Sequence, residues 1–129
     1  MNRIPETTVG AIHEAMRAGD RTSRELVERY TERIDRYDRN GPELNGVVTV
    51  NPTATDRAAE LDERLARKGP VGPLHGIPVL VKDQALTAGL RTTFGSVAFE
   101  GYVPGEDATV VSKLRDAGAI ILGKTNLPD

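Results

Sequence analysis

The sequence predicts an α/β chain in which N-terminal helices lead into β-α-β elements of a larger mixed sheet flanked by helices. Three observations carry this reading. Apolar residues recur at helical spacing through residues 7–39. Two short runs, Ile77-Pro-Val-Leu-Val81 and Ala119-Ile-Ile-Leu122, are apolar at every position, as in strands covered on both faces. Between those runs a further helical stretch follows Asp107, and strand, helix and strand joined in that order form a parallel pair by a right-handed crossover.

The first helix is expected over 7–18, opened by Thr7 or Thr8, with Val9, Ile12, His13 and Met16 on one face and Gly19 as its stop. Thr22 with Glu25 three residues on has capping-box spacing. The helix it opens carries Leu26, Val27, Tyr30, Ile34 and Tyr37 on one face as far as about Arg39, and Asn40-Gly41-Pro42 ends it. The opposite face holds Arg24, Glu28, Glu32, Arg36 and Arg39, mixed charges typical of a solvated surface. Gly46-Val-Val-Thr-Val50 reads as a strand. Asn51-Pro52 has the pattern of an N-cap with proline in the first turn, and the helix beyond it turns Ala58, Leu61 and Leu65 inward and ends at Gly69. Residues 84–106 hold four glycines and Pro104 with little periodicity, long for a loop without a function or a surface to lie on. Asp107 is expected to cap a helix whose Val110, Val111 and Leu114 face inward, with Gly118 just past its end.

Composition narrows the function classes. The chain has 129 residues, 38% apolar and 4% aromatic, with no Trp and a formal net charge of −2. That leaves few stacking platforms and no bulk positive charge for nucleic acid. The absence of cysteine excludes disulfides, thiolate metal sites and a Cys nucleophile. No run approaches the roughly 18 apolar residues of a membrane span, and the N-terminus lacks an apolar signal core. A cytoplasmic protein without membrane or nucleic-acid partners is expected, and self-association is left open.

Four features invite a chemical reading, each with a plainer one beside it. Gly118-Ala-Ile-Ile-Leu-Gly123-Lys124-Thr125 satisfies the phosphate-loop pattern, but its intervening residues belong to a strand, so the required strand–loop–helix order fails and nucleotide binding is set aside. Lys82, followed by Asp83, ends an apolar strand, where open α/β sheets place ligands. A desolvated amine there could serve as a base; a strand-end lysine reaching solvent fits the same spacing. His75 precedes Gly76 in a loop, and with His13 as the second histidine no metal set forms, which favours a packed, hydrogen-bonded ring. Ser23 and Ser112 fall in expected helices and Ser96 lies in the glycine-rich segment without an adjacent base, so no Ser/His/Asp set assembles.

Residues 72–128 carry a resemblance. Gly72-Pro-Leu-His-Gly-Ile-Pro-Val-Leu-Val-Lys-Asp83 resembles the stretch around the catalytic lysine of the amidase signature family. Thr87-Ala-Gly-Leu90, Thr92-Thr93, Gly95-Ser96, Tyr102-Val-Pro104, Glu106-Asp-Ala-Thr-Val-Val111 and Leu114-Arg-Asp-Ala-Gly-Ala-Ile-Ile-Leu-Gly-Lys-Thr-Asn126 follow at the family's spacing. The resemblance implies hydrolysis of carboxamides by a serine nucleophile, a second serine after a cis peptide bond, and a lysine. The neutral lysine accepts a proton relayed through the second serine, and backbone amides hold the oxyanion. It assigns one catalytic residue within this chain, Lys82, and calls for no cofactor and no metal. Gln84, Ala85 and Leu86 replace the Asn-Ile-Asp often found after Lys-Asp, and Phe94 stands where a small residue is common; these replacements shift the pocket edge, leave the substrate open and do not touch the lysine.

In the family both serines lie beyond the Lys-Thr-Asn segment, past Asp129. Residues 1–129 are therefore expected to be the N-terminal part of such a domain. Residues 1–45 would be its helical segment and 46–129 the start of its α/β core. The full-length enzyme would act on a small-molecule amide, while this chain alone is expected to be inactive. The competing readings are a non-catalytic truncated remnant or binding module and, within the family, the A subunit of a glutamyl/aspartyl-tRNA amidotransferase.

Overall fold

The computed structural model describes residues 7–127. Helix α1 (Val9–Arg17) is capped by Thr8, whose hydroxyl accepts from Ala11 N at 3.0 Å. Helix α2 (Ser23–Arg33) has the expected capping box, Glu25 N donating to Thr22 Oγ1 at 3.1 Å and Thr22 N to Glu25 Oε2 at 3.4 Å. A carboxylate from elsewhere completes the cap: Asp62 accepts from Ser23 N at 2.7 Å and Arg24 N at 3.0 Å. With Leu26 N donating to Thr22 O, all four leading amides of α2 are satisfied.

The α-helix does not run on to Arg39 as its spacing predicts. Residues Ile34–Arg39 form a π-helical turn, whose wider winding brings Asp38 inward. There Asp38 is buried and accepts from Gly46 N at 2.6 Å and Val47 N at 3.0 Å, fixing the entry to strand β1 (Val47–Val50). Tyr37, expected inside, is exposed with the Arg33 guanidinium over its ring.

Asn51 does not cap the next helix directly. Its Oδ1 accepts from Thr53 N and Thr53 Oγ1, while its Nδ2 donates to Ile121 O at 2.8 Å, so the side chain turns the backbone and ties it to a neighbouring strand. Helix α3 (Ala54–Lys68) then starts two residues beyond Pro52, buries Ala54, Ala58 and Leu61, and ends at Gly69 with φ 81°. Strand β2 (Pro78–Lys82), helix α4 (Thr109–Asp116) and strand β3 (Ile120–Thr125) follow. Asp107 lies outside α4, which begins after Ala108 without a side-chain cap. Asp107 instead accepts from Ala88 N at 2.7 Å and pairs with Arg115 at 2.9 Å, clamping the glycine-rich segment to the helix. Val111 is buried as expected, whereas Val110 points to solvent.

The sheet order is β1-β3-β2, with β3 antiparallel to β1 and parallel to β2. Ile120 and Leu122 pack on Val27, Ala54, Ala58 and Leu61, beneath α2 and α3. Ile121 packs on Val81, Leu90 and Val111 on the other side. Each fully buried aliphatic side chain of this kind contributes roughly 1.5–3 kcal/mol.

A bulge interrupts the β2–β3 register. Val79 pairs with Ile121, but Leu80 pairs with Gly123 and Val81 with Lys124, leaving Leu122 as the extra residue. Beyond the bulge the faces of β3 exchange, and Lys124 joins the side of Ile121. Strand β2 is covered less fully than its apolar sequence predicts. Val81 is buried, while Leu80 on the opposite face is 44% exposed at the sheet edge.

Candidate active site at the end of β2

Lys82 is the last residue of β2, on the same open face as Leu80, and is exposed. Its Nζ donates to Asn126 O at 3.2 Å. Asn126 is itself fixed, its N donating to Gly46 O at 2.8 Å and its Nδ2 to Asn45 O at 3.0 Å. The lysine therefore hangs on a backbone carbonyl just past β3, with one side of its amine open.

Asp83 points the other way and is 1% exposed. Its N donates to Thr125 O and its O accepts from Phe94 N, both at 3.0 Å. Its Oδ2 accepts from Thr93 N at 3.2 Å and from Thr93 Oγ1. Its Oδ1 is buried and has no hydrogen-bond partner among the described residues. Phe94 is held at φ 54°, a left-handed conformation unusual for a large side chain, with Gly95 at 69° after it. Its ring starts an exposed edge-to-face series, Phe94 to Phe99 at 5.3 Å and Phe99 to Tyr102 at 6.1 Å. The Phe94 singled out in the sequence thus starts an exposed aromatic series from a residue hydrogen-bonded to Asp83.

The lysine of the phosphate-loop pattern has a different fate. Lys124 is completely buried, and its Nζ donates to Ala85 O, Thr87 Oγ1 and Thr92 Oγ1. Burial lowers its pKa below that of a free lysine, opposed by the Asp83 carboxylate. The two glycines of the pattern serve packing. Gly118 has φ 95° with its backbone against His75, and Gly123 lies where β1 passes so closely that a Cβ would collide with Thr49 O. These roles need no phosphate.

His75 is buried, with Nδ1 accepting from Val71 N at 3.0 Å and Nε2 facing Leu61 O at 3.0 Å. His13 Nε2 donates to His75 O at 2.9 Å. Both histidines are hydrogen-bonded, and neither shares a partner with Lys82. Ser23 is buried beside Met16, Ser96 caps the short turn Val97–Phe99 through Ala98 N, and Ser112 is exposed on α4. None of the three is hydrogen-bonded to Lys82.

Sequence reasoning missed the Lys124–Thr87–Thr92 group and the Asp83–Thr93 clamp. A signal was present: a lysine inside an apolar strand must find acceptors, and the glycine-rich segment offered three threonines.

The model of the Amidase family matches residues 25–129. The chain belongs to the amidase signature family. This amidase-family chain is 42% identical over 126 residues to the A subunit of the chloroplastic/mitochondrial glutamyl-tRNA(Gln) amidotransferase of Zea mays, covering 95% of itself and 23% of that protein. Peptide amidase from Stenotrophomonas maltophilia superposes with a TM-score of 0.92 at 46% identity, over 95% of this chain and 25% of that one. An amidase family protein from Bacillus anthracis gives 0.91 at 35% identity, over 96% of this chain and 25% of that one. The chain thus spans about a quarter of the length of the relatives it matches. Among the described residues no helix is long and apolar enough to cross a membrane. Because the family includes organellar members, membership does not fix a compartment.

Proposed function

We propose that this chain is the N-terminal, lysine-bearing part of an enzyme that hydrolyses a carboxamide carbon–nitrogen bond. The observation that carries this is the placement of Lys82. It ends a strand parallel to its neighbour, on an open face, with its amine held by one carbonyl and free on the other side. An ammonium cannot accept a proton, so the amine must be neutral to act as a base. Covering the open face with further protein would desolvate the amine and favour that form. The nucleophile and the relaying serine are then supplied from outside residues 7–127. The neutral Lys82 takes the nucleophile's proton through the relay, the nucleophile attacks the amide carbonyl, and backbone amides receive the oxyanion.

In the enzyme that contains this chain, Lys82→Ala is expected to lower kcat for amide hydrolysis about a hundred- to ten-thousand-fold, with a smaller change in KM. Unchanged kcat/KM overturns the reading. A second reading is supported by the maize relative: the A subunit of a glutamyl-tRNA(Gln) amidotransferase. Hydrolysis of simple amides without a partner protein favours the stand-alone enzyme, and dependence on partner and acylated tRNA favours the amidotransferase.

A further inference from the structure

We propose that Lys124 is the positioning residue of the Lys82 site, joining the strand that holds the Lys82 amine to the loop that begins at Asp83. The inference rests on the assignment of Lys82 as the reacting lysine.

A buried ammonium is tolerated only when its donors are met. Lys124 has three, and they meet three acceptors: Ala85 O at 2.5 Å, Thr87 Oγ1 at 3.1 Å and Thr92 Oγ1 at 3.0 Å. The two threonines are oriented for this. Thr87 Oγ1 donates its own proton to Ala85 O and Thr92 Oγ1 to Leu90 O, each at 3.1 Å, which turns their lone pairs toward the ammonium. Donation therefore runs in one direction, from Lys124 through the hydroxyls into the loop backbone, and such chains reinforce each other.

The anchored segments are the two that surround Lys82. Two residues past Lys124, Asn126 supplies the carbonyl that holds Lys82 Nζ, and Thr125 O receives Asp83 N. On the loop side Thr93 and Phe94 bond to Asp83, immediately after Lys82. Lys124 is covalently continuous with the first segment and hydrogen-bonded to the second. It has no open side and no spare donor, so it positions the site without reacting in it.

The test is competitive acetylation of the full chain with acetic anhydride across pH, each lysine quantified by mass spectrometry. Lys113 on α4 is the exposed reference. In the native chain Lys124 should be protected and Lys82 labelled. Thr87→Val and Thr92→Val remove a hydroxyl at nearly constant shape. Each should change the Lys82-to-Lys113 labelling ratio about threefold or more, as expected within one hydrogen-bond network. Thr92→Ser should restore it, which a packing role alone would not produce. Where a valine variant loses its cooperative melt, Lys124→Met combined with both valines replaces the buried polar group by apolar volume and keeps a folded state accessible. A Lys82 ratio unchanged in folded variants overturns the proposal, as does a Lys124 labelled as fast as Lys113. Labelling involves no amide hydrolysis, so failure of the amidase reading would show in the Lys82→Ala assay and leave this result standing.

Discussion

Val71 N donates to His75 Nδ1, so the ring proton sits on Nε2, directed at Leu61 O. A second proton would have to enter at Nδ1 and expel the Val71 amide. Burial lowers the His75 pKa below its ordinary value near 6.5. The Leu61 carbonyl and Asp62 oppose that shift, while His13 and Arg64 add to it. The unfolded chain therefore gains its proton at higher pH than the folded one. Stability rises with pH between the two pKa values and is lost as pH falls below about 6.5. Thermal melts should show Tm falling from pH 8 to pH 5, and His75→Gln should flatten that dependence; an equal fall in the variant contradicts the assignment. Gly118 is the other residue-scale constraint, with φ 95° and a Cβ that would lie 2.7 Å from His75 Cα. Gly118→Ala should cost about 2 kcal/mol or more by denaturant unfolding.

The cap of α2 belongs to two elements, because Asp62 on α3 holds the first two amides of α2. Asp62→Ala should destabilise by about 1–3 kcal/mol, the cost of leaving two amides without a charged acceptor. Local signals made much of this architecture legible. The Thr22–Glu25 box, the apolar spacing of α3 and the apolar runs of β2 and β3 each follow from neighbouring residues. Features set by distant contacts were not legible. The π turn follows from what Asp38 reaches in β1, Asp107 is diverted to Ala88 and Arg115, and the Leu122 bulge follows from strand pairing. Lys124 depends on that bulge, so its place in the site could not be read from alternation along the strand. Lys82 could be read, because its position at a strand end needs only the run before it.

Across the whole molecule, one face of β2 and the rim of the glycine-rich segment present apolar groups to solvent. Leu80, Phe94, Val97, Phe99, Tyr102 and Val103 are all exposed. Exposed apolar side chains and an open strand edge favour association. The chain should self-associate with rising concentration in sedimentation experiments, and Leu80→Lys should reduce it; concentration-independent monomer contradicts this. Leu80 shares the open face of β2 with Lys82, and Phe94 is hydrogen-bonded to Asp83 immediately after it. The measurement that tests the central claim most directly is a graft of residues 7–127 into the peptide amidase from Stenotrophomonas maltophilia, in place of the segment they match. With both grafts shown to fold, hydrolysis of a peptide amide should proceed with Lys82 and fall at least about a hundredfold in Lys82→Ala. Equal turnover by the two grafts would contradict the assignment of Lys82 as the reacting base.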